Sequence, residues 1–215
     1  MPARAELEGA AIVLKGDFNP KIFQPAWLAA NNLIRAAESD AAEIQVVHHD
    51  LTQFSSDWLT VQVLPEQFHA SASDIAHAKP LCDLVQGIFT LLEHTPVKAM
   101  GVNRLMHFRL DNAEKFQSFG DMLAPKQVWD TVLTGSGLVS QTIRGTRPGK
   151  PSKAVRVKVE SSVKITPNGV YVEVNEHFAE ENARVSHFVE LLSQHGMESL
   201  EFGKSVAEHL LSQPC

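Results

Sequence analysis

The segment AVRVKVESSVKITPNGVYVEV, residues 154–174, decides the fold class because its apolar and polar side chains alternate. Apolar residues at every second position lie on one face of an extended strand, so the alternation predicts a strand over 154–165. The sequence Thr166-Pro167-Asn168-Gly169 predicts a hairpin turn, since asparagine and glycine tolerate the positive φ that such turns require. Residues 170–174 then return as the partner strand. This pairing indicates an antiparallel sheet.

Strand and helix patterns of the same kind occur along the rest of the chain. Further strands are predicted at 10–18, 43–51, 57–64, 67–71, 97–109 and 138–144. Helices are predicted at 25–37, 79–94, 111–122, 126–133, 180–195 and 198–212, with a break between the last two near Gly196. These elements predict a two-layer α+β fold with a predominantly antiparallel sheet and helices mainly on one face.

The order of the predicted elements suggests two similar halves. A strand, a helix, three strands and a helix occur over 10–95, and the same order occurs over 97–213, after an N-terminal tail at 1–9. We therefore predict a possible internal duplication of a β-α-β-β-β-α unit, with the two halves sharing one core.

Composition is typical of a folded globular protein. The chain has 215 residues, of which 44% are hydrophobic, and a net charge of −6, a combination that excludes intrinsic disorder. The two cysteines, Cys82 and Cys215, are spaced for neither a disulfide framework nor a zinc site. The N-terminus has no apolar signal region and no segment is apolar enough to span a membrane, so we predict a cytoplasmic protein without membrane contact.

Two glycine-rich segments fail the requirements of phosphate-binding motifs. Gly203-Lys204-Ser205 lacks the glycine five residues earlier that a phosphate-binding loop needs, because that position is Glu198. Gly135-Ser136-Gly137 is followed by a predicted strand, whereas a dinucleotide fingerprint opens a helix. The sequence therefore predicts no cofactor.

His48-His49-Asp50 is the strongest candidate for chemistry in the sequence. Neighbouring strand residues point to opposite faces, so the two imidazoles reach one site only if the strand ends or bulges there. His48 and Asp50 share a face and could form a His–carboxylate pair, but a reaction centre would need a third group such as His107 or Glu173. We predict no metal site here, and a metal- or His/Asp-dependent hydrolase remains an alternative.

Basic residues are concentrated between positions 131 and 159, where the sequence has no Asp or Glu. The candidate binding residues of this stretch are Arg144, Arg147, Lys150, Lys153, Arg156 and Lys158. Pro and Gly between 144 and 153 predict a mobile, exposed loop. Such a loop could contact phosphates or an acidic protein surface, although it has no aromatic residue for base stacking.

The predicted strand 97–109 carries a second group of candidate binding residues. Asn103 and His107 lie four positions apart and share a face, and Arg104 points to the opposite one. Polar residues in the middle of a strand indicate a hydrated pocket, a surface that faces a partner, or simply an edge or outward face of the sheet.

Three segments of the chain resemble a sporadically distributed family of bacterial proteins of similar length with no assigned activity. The resemblance lies in the hairpin Leu59-Thr60-Val61-Gln62-Val63-Leu64-Pro65-Glu66-Gln67-Phe68, the helix after it and the strand Met100-Gly101-Val102-Asn103-Arg104, and it covers about residues 10–110. It implies no catalytic residues. The patchy distribution of the family implies an accessory role, such as in a defence or mobile-element system.

The sequence favours a non-catalytic binding or adaptor protein that acts through protein–protein contacts. Self-association is expected because an antiparallel sheet with exposed edges can pair with a copy of itself. The alternative is a nucleic-acid or nucleotide binder that uses the basic loop 144–158.

Overall fold

The structure, a computed structural model, describes residues 4–180 and 183–214, and the side chains of residues 151–153 lie outside the described part. Nine strands form one antiparallel sheet: β1 (Leu7–Gly16), β2 (Glu43–Val47), β3 (Thr52–Ser55), β4 (Leu59–Leu64), β5 (Gln67–Ala72), β6 (Val97–Arg109), β7 (Ser140–Arg147), β8 (Lys150–Ser161) and β9 (Gly169–Ala179). The helices are α1 (Pro25–Ala30), α2 (Ala36–Asp40), α3 (Ala78–Leu91), α4 (Ala113–Leu123) and α5 (Val185–Leu211). The predicted α+β class and antiparallel sheet are confirmed.

The sheet is built outward from its two central strands, β1 and β6, which pair antiparallel. The strand order is β2-β3-β4-β5-β1-β6-β9-β8-β7, so each central strand is flanked by a meander of consecutive strands. A long helix follows each meander, α3 after β5 and α5 after β9. The duplication of a β-α-β-β-β-α unit stays a prediction.

The helices cover one face of the sheet. Helix α3 contacts β1 and β5, α5 contacts β6 and β9, and the two helices contact each other. Phe119 of α4 joins the buried cluster around Val172 and Val174 on the same face. Because apolar side chains alternate along each strand, one face buries the core and the other carries the polar residues.

Helix α5 is continuous through Gly196, so the predicted break there is wrong. A Cβ at Gly196 would lie 3.2 Å from the Sγ of Cys82, and one at Gly203 would lie 2.9 Å from the Cβ of Arg104. The two glycines therefore allow close approach to α3 and to the sheet, and they do not end the helix.

Several other segments also differ from their predicted structure. The helix predicted at 25–37 is interrupted near Asn32, whose φ is 58°. The strand predicted at 43–51 ends at Val47, and a turn leads into the separate strand β3. The helix predicted at 126–133 is only a 3-10 turn at Lys126–Val128. The predicted loop at 144–153 is the tip of the β7–β8 hairpin, because the pairing of the two strands continues to Arg147 and Lys150 and Gly149 (φ 73°) lies in the turn.

None of the helices in the described part of the chain is both long and apolar enough to cross a membrane.

Candidate functional site

The sheet face opposite the helices, hereafter the open face, carries a polar row that crosses most of the strands. Asn103 of β6 is the register partner of Asn175 of β9, which is the partner of Arg156 of β8. Arg156 in turn faces Arg144 of β7. On the other side of Asn103 the row continues through Ala11, Ser71 and Thr60. The row spans seven strands, or roughly 29 Å at the usual strand spacing.

The centre of the open face is recessed although no helix covers it in the described ranges. Asn103 is only 5% exposed and Ala11 only 3%. Gly101 leaves room for its neighbour, since a Cβ there would lie 2.5 Å from the Nδ2 of Asn175. Small residues in the central strands and longer side chains in the outer ones form a groove of about 270 Å³.

Two asparagines line the floor of this groove and hold each other in place. The Nδ2 of Asn175 donates to the Oδ1 of Asn103 at 2.7 Å, and the Nδ2 of Asn103 donates to the carbonyl of Ala11 at 3.1 Å. These bonds satisfy the buried amide of Asn103 and leave donors and acceptors of Asn175 facing the groove.

Arg156 lines one end of the groove, and Arg144 lies beside it on β7. These exposed guanidinium groups lie opposite each other on β7 and β8, and neither has an ion pair with any described residue. Like charges at directly opposed positions of a sheet are destabilising. Next to them, the pKa of His177 is held below its ordinary value by burial and then by Arg156 and Arg144. An anion at this position would reduce the repulsion between the two arginines and would raise the pKa of His177.

Lys158 lies two residues after Arg156 on β8, on the same face of the sheet. It lies opposite Glu173 of β9 and pairs with Glu160 at 2.8 Å. Its charge is therefore partly compensated, which distinguishes it from Arg144 and Arg156.

His107 occupies a second, adjoining groove of about 310 Å³. Its Nδ1 lies 2.8 Å from the Oγ of Ser162, which also accepts the backbone amides of Lys164 (3.1 Å) and Ile165 (2.9 Å). The serine hydroxyl therefore donates to Nδ1, and the imidazole proton is assigned to Nε2. Burial, and then Lys164, lowers the pKa of His107. Ser162 is thus engaged in a turn and does not stand free as a nucleophile.

Tyr171 links the two grooves. Its ring centroid lies 4.7 Å from that of His107, and its hydroxyl donates to Glu173 at 3.0 Å. Burial, followed by the charge of Glu173, raises the pKa of the phenol. Tyr171 therefore stays protonated and offers a half-buried aromatic surface on the open face.

Arg147 and Lys150, which we predicted as binding residues, point to the helix side of the sheet. Arg147 lies 2.7 Å from Glu198 and 3.3 Å from the buried Glu176, and its guanidinium stacks 4.5 Å above the ring of Phe202. Lys150 contacts Glu198 at 2.6 Å. The side chain of Lys153 lies outside the described residues. The structure therefore brings five of the eight predicted binding residues to the open face: Asn103, His107, Arg144, Arg156 and Lys158.

His48 and Asp50 do not join these residues. They lie in the turn between β2 and β3, and β2 is five strands away from β6. That separation is roughly 24 Å, so neither His107 nor Glu173 completes a reaction centre with them.

Sequence reasoning did not assign Asn175, His177 and Tyr171 to this face. We predicted that the last strand would end at 174, whereas β9 continues to Ala179. The polar residues at 171, 173, 175 and 177 keep a period of two, and this signal could have extended the strand.

Comparison of the chain with models of protein families and with curated proteins finds no match.

Proposed function

We propose that this chain is a non-catalytic binding protein that holds a phosphate-bearing ligand, a single-stranded nucleic acid, on the open face of its sheet. The observation that carries the proposal is the opposed pair Arg144 and Arg156, which has no acidic partner among the described residues and lies at the end of a polar row. Guanidinium groups bind phosphate oxygens with two parallel hydrogen bonds, so this pair suits an anionic backbone. We place this activity in the bacterial cytoplasm, as part of an accessory or defence system.

The dimensions of the row favour an extended ligand over a single nucleotide. Polar and small side chains continue from Arg144 to Thr60 across seven strands, which is roughly 29 Å. Tyr171 offers one ring for stacking, and the free donors and acceptors of Asn175 can contact sugars or base edges. Recognition of this kind is expected to depend mainly on the backbone and weakly on sequence.

The test is fluorescence anisotropy with labelled dT and rU oligonucleotides of about 15 nucleotides, over a range of salt concentrations. We expect binding that weakens steeply as salt increases, because phosphate contacts release counterions. The double variant Arg144→Gln/Arg156→Gln should lower affinity about tenfold or more at low salt and reduce the slope of log K against log salt by about 1.4.

A matched control removes the same charge from the helix side. Lys79 is exposed on α3 and Lys204 is half-buried on α5, and the double variant Lys79→Gln/Lys204→Gln should bind almost as the unmodified protein does. Absence of binding at low salt, or an equal loss in both double variants, would contradict the proposal.

A second candidate function, self-association, is favoured by an exposed apolar patch beside the edge strand β7. The patch consists of the exposed residues Val128, Trp129, Val132, Leu133, Val139 and Ile143. Strand β7 pairs only with β8 in the described part of the chain, so its outer backbone groups are available to a second copy. Analytical ultracentrifugation would show a dimer that Ile143→Asp converts to a monomer, and a monomer at every concentration would exclude this function.

A further inference from the structure

The turn between β2 and β3 brings three side chains that bind metals to one point. The Oδ2 of Asp50 lies 3.5 Å from the Nδ1 of His48 and 2.9 Å from the Nε2 of His49. One ligand atom of each residue lies within 4.8 Å of the others. Within the described ranges, this is the one group of three or more His, Cys, Asp or Glu residues with such an arrangement.

The backbone shows why adjacent histidines can meet here. Strand β2 ends at Val47, and the amide of His48 donates to the carbonyl of Leu51 at 2.8 Å, which closes a turn. The alternation that would send His48 and His49 to opposite faces therefore no longer applies. Their ring centroids are 3.9 Å apart.

The donor set and its spacing suit a divalent transition metal. A tetrahedral zinc ion with bonds of about 2.0–2.1 Å has ligand atoms about 3.3 Å apart, and the two measured separations lie on either side of that value. Two imidazoles and a carboxylate favour zinc, copper or nickel, whereas calcium and magnesium prefer an all-oxygen set.

We infer that His48, His49 and Asp50 form a site for zinc or a similar divalent transition metal at the β2–β3 turn. The three side chains are exposed, so a fourth coordination position faces solvent and is open to water or to a donor atom of another molecule. The site is independent of the proposed nucleic-acid surface, because β2 and β7 are opposite edges of the sheet.

The test is isothermal titration of the full chain with zinc chloride at about pH 7.5 in a buffer that does not bind metals. We expect one zinc per chain with a micromolar Kd, and affinity about tenfold weaker or worse in His49→Gln and in Asp50→Asn, because each removes a direct ligand. His94→Gln, which changes an exposed histidine outside the turn, should leave the affinity unchanged.

One further measurement separates zinc at this turn from zinc bound through a cysteine. Cobalt substitution should give an absorption spectrum without a sulfur charge-transfer band, which excludes Cys82 and Cys215 as ligands. The inference is overturned if zinc does not bind, or if His49→Gln and Asp50→Asn bind as tightly as the unmodified protein while their circular dichroism melting curves stay the same.

Discussion

Arg144 and Arg156 lie directly opposite each other on β7 and β8, two like charges in register on an uncovered sheet face. This repulsion should lower the stability of the free protein, and a bound anion should relieve it. A substitution that removes one of the two charges is therefore expected to raise stability and to weaken anion binding.

Removing one of these charges should stabilise the free protein. We expect Arg144→Gln to raise the free energy of unfolding by about 0.2–1 kcal/mol, the usual range for a cross-strand pair, and to weaken oligonucleotide binding. Urea denaturation measures the first effect. Arg109→Gln is the control, because Arg109 pairs with Glu6 at 2.8 Å and its loss should be neutral or destabilising. A destabilised Arg144→Gln variant would contradict repulsion between the two arginines.

His177 should report occupancy of the Arg144–Arg156 site. Burial, and then these two arginines, lower the pKa of His177, so the imidazole is neutral at about pH 7. Arg156→Gln or a bound phosphate group should raise that pKa, measured from the imidazole resonances by NMR, and Lys79→Gln should not. Because the folded pKa lies below the unfolded one, the His177 contribution reduces stability as pH falls below about 6.5. An unchanged His177 titration in the presence of saturating oligonucleotide would place the ligand elsewhere.

Gly203 should be intolerant of a side chain despite its helical position. A Cβ there would lie 2.9 Å from the Cβ of Arg104 and 3.3 Å from the Cβ of Val174. Overpacking costs about 1–3 kcal/mol, which exceeds the gain of about 1 kcal/mol from alanine in a helix, so Gly203→Ala should lower stability by about 1 kcal/mol. Gly145→Ala, where nothing lies within 4 Å of the added atom, is the control and should not lose stability. Equal stability of the two variants in thermal denaturation would argue against the close helix–sheet contact.

The β7–β8 hairpin should lose part of its attachment to α5 in acid. The hydrogen bond from Lys150, followed by that of His195 and the charge of Arg147, lowers the pKa of Glu198 to about 2. Since the folded pKa lies below the ordinary value of 4.5, this stabilisation is present above pH 4.5 and disappears as pH falls towards 2. Glu198 is 41% exposed, so we expect the effect to be at most about 1 kcal/mol.

The measurement for Glu198 is the urea midpoint between about pH 5 and about pH 2.5. Glu198→Gln should flatten the acid dependence, and Glu190→Gln, on the same helix, should retain it. A pH profile of Glu198→Gln identical to that of the unmodified protein would contradict the role of this carboxylate.

Local patterns in the sequence determined the fold class and several elements. Strand β6 has the predicted bounds Val97–Arg109, and α3 (Ala78–Leu91) nearly coincides with the predicted helix at 79–94, because a period of two or of 3.6 is a property of neighbouring residues. The same patterns predicted correctly that Asn103 and His107 share a face and that Arg104 opposes them.

Only the tertiary structure decided which polar residues meet. Arg144 and Arg147 are three positions apart in one predicted basic loop, yet Arg144 faces Arg156 on the open face and Arg147 faces Glu198 on the helix side. Asn175 reaches Asn103 across a sequence separation of 72 residues. Such contacts depend on strand register and on how closely α5 approaches the sheet, and these follow from packing of the whole core, which a local pattern does not encode.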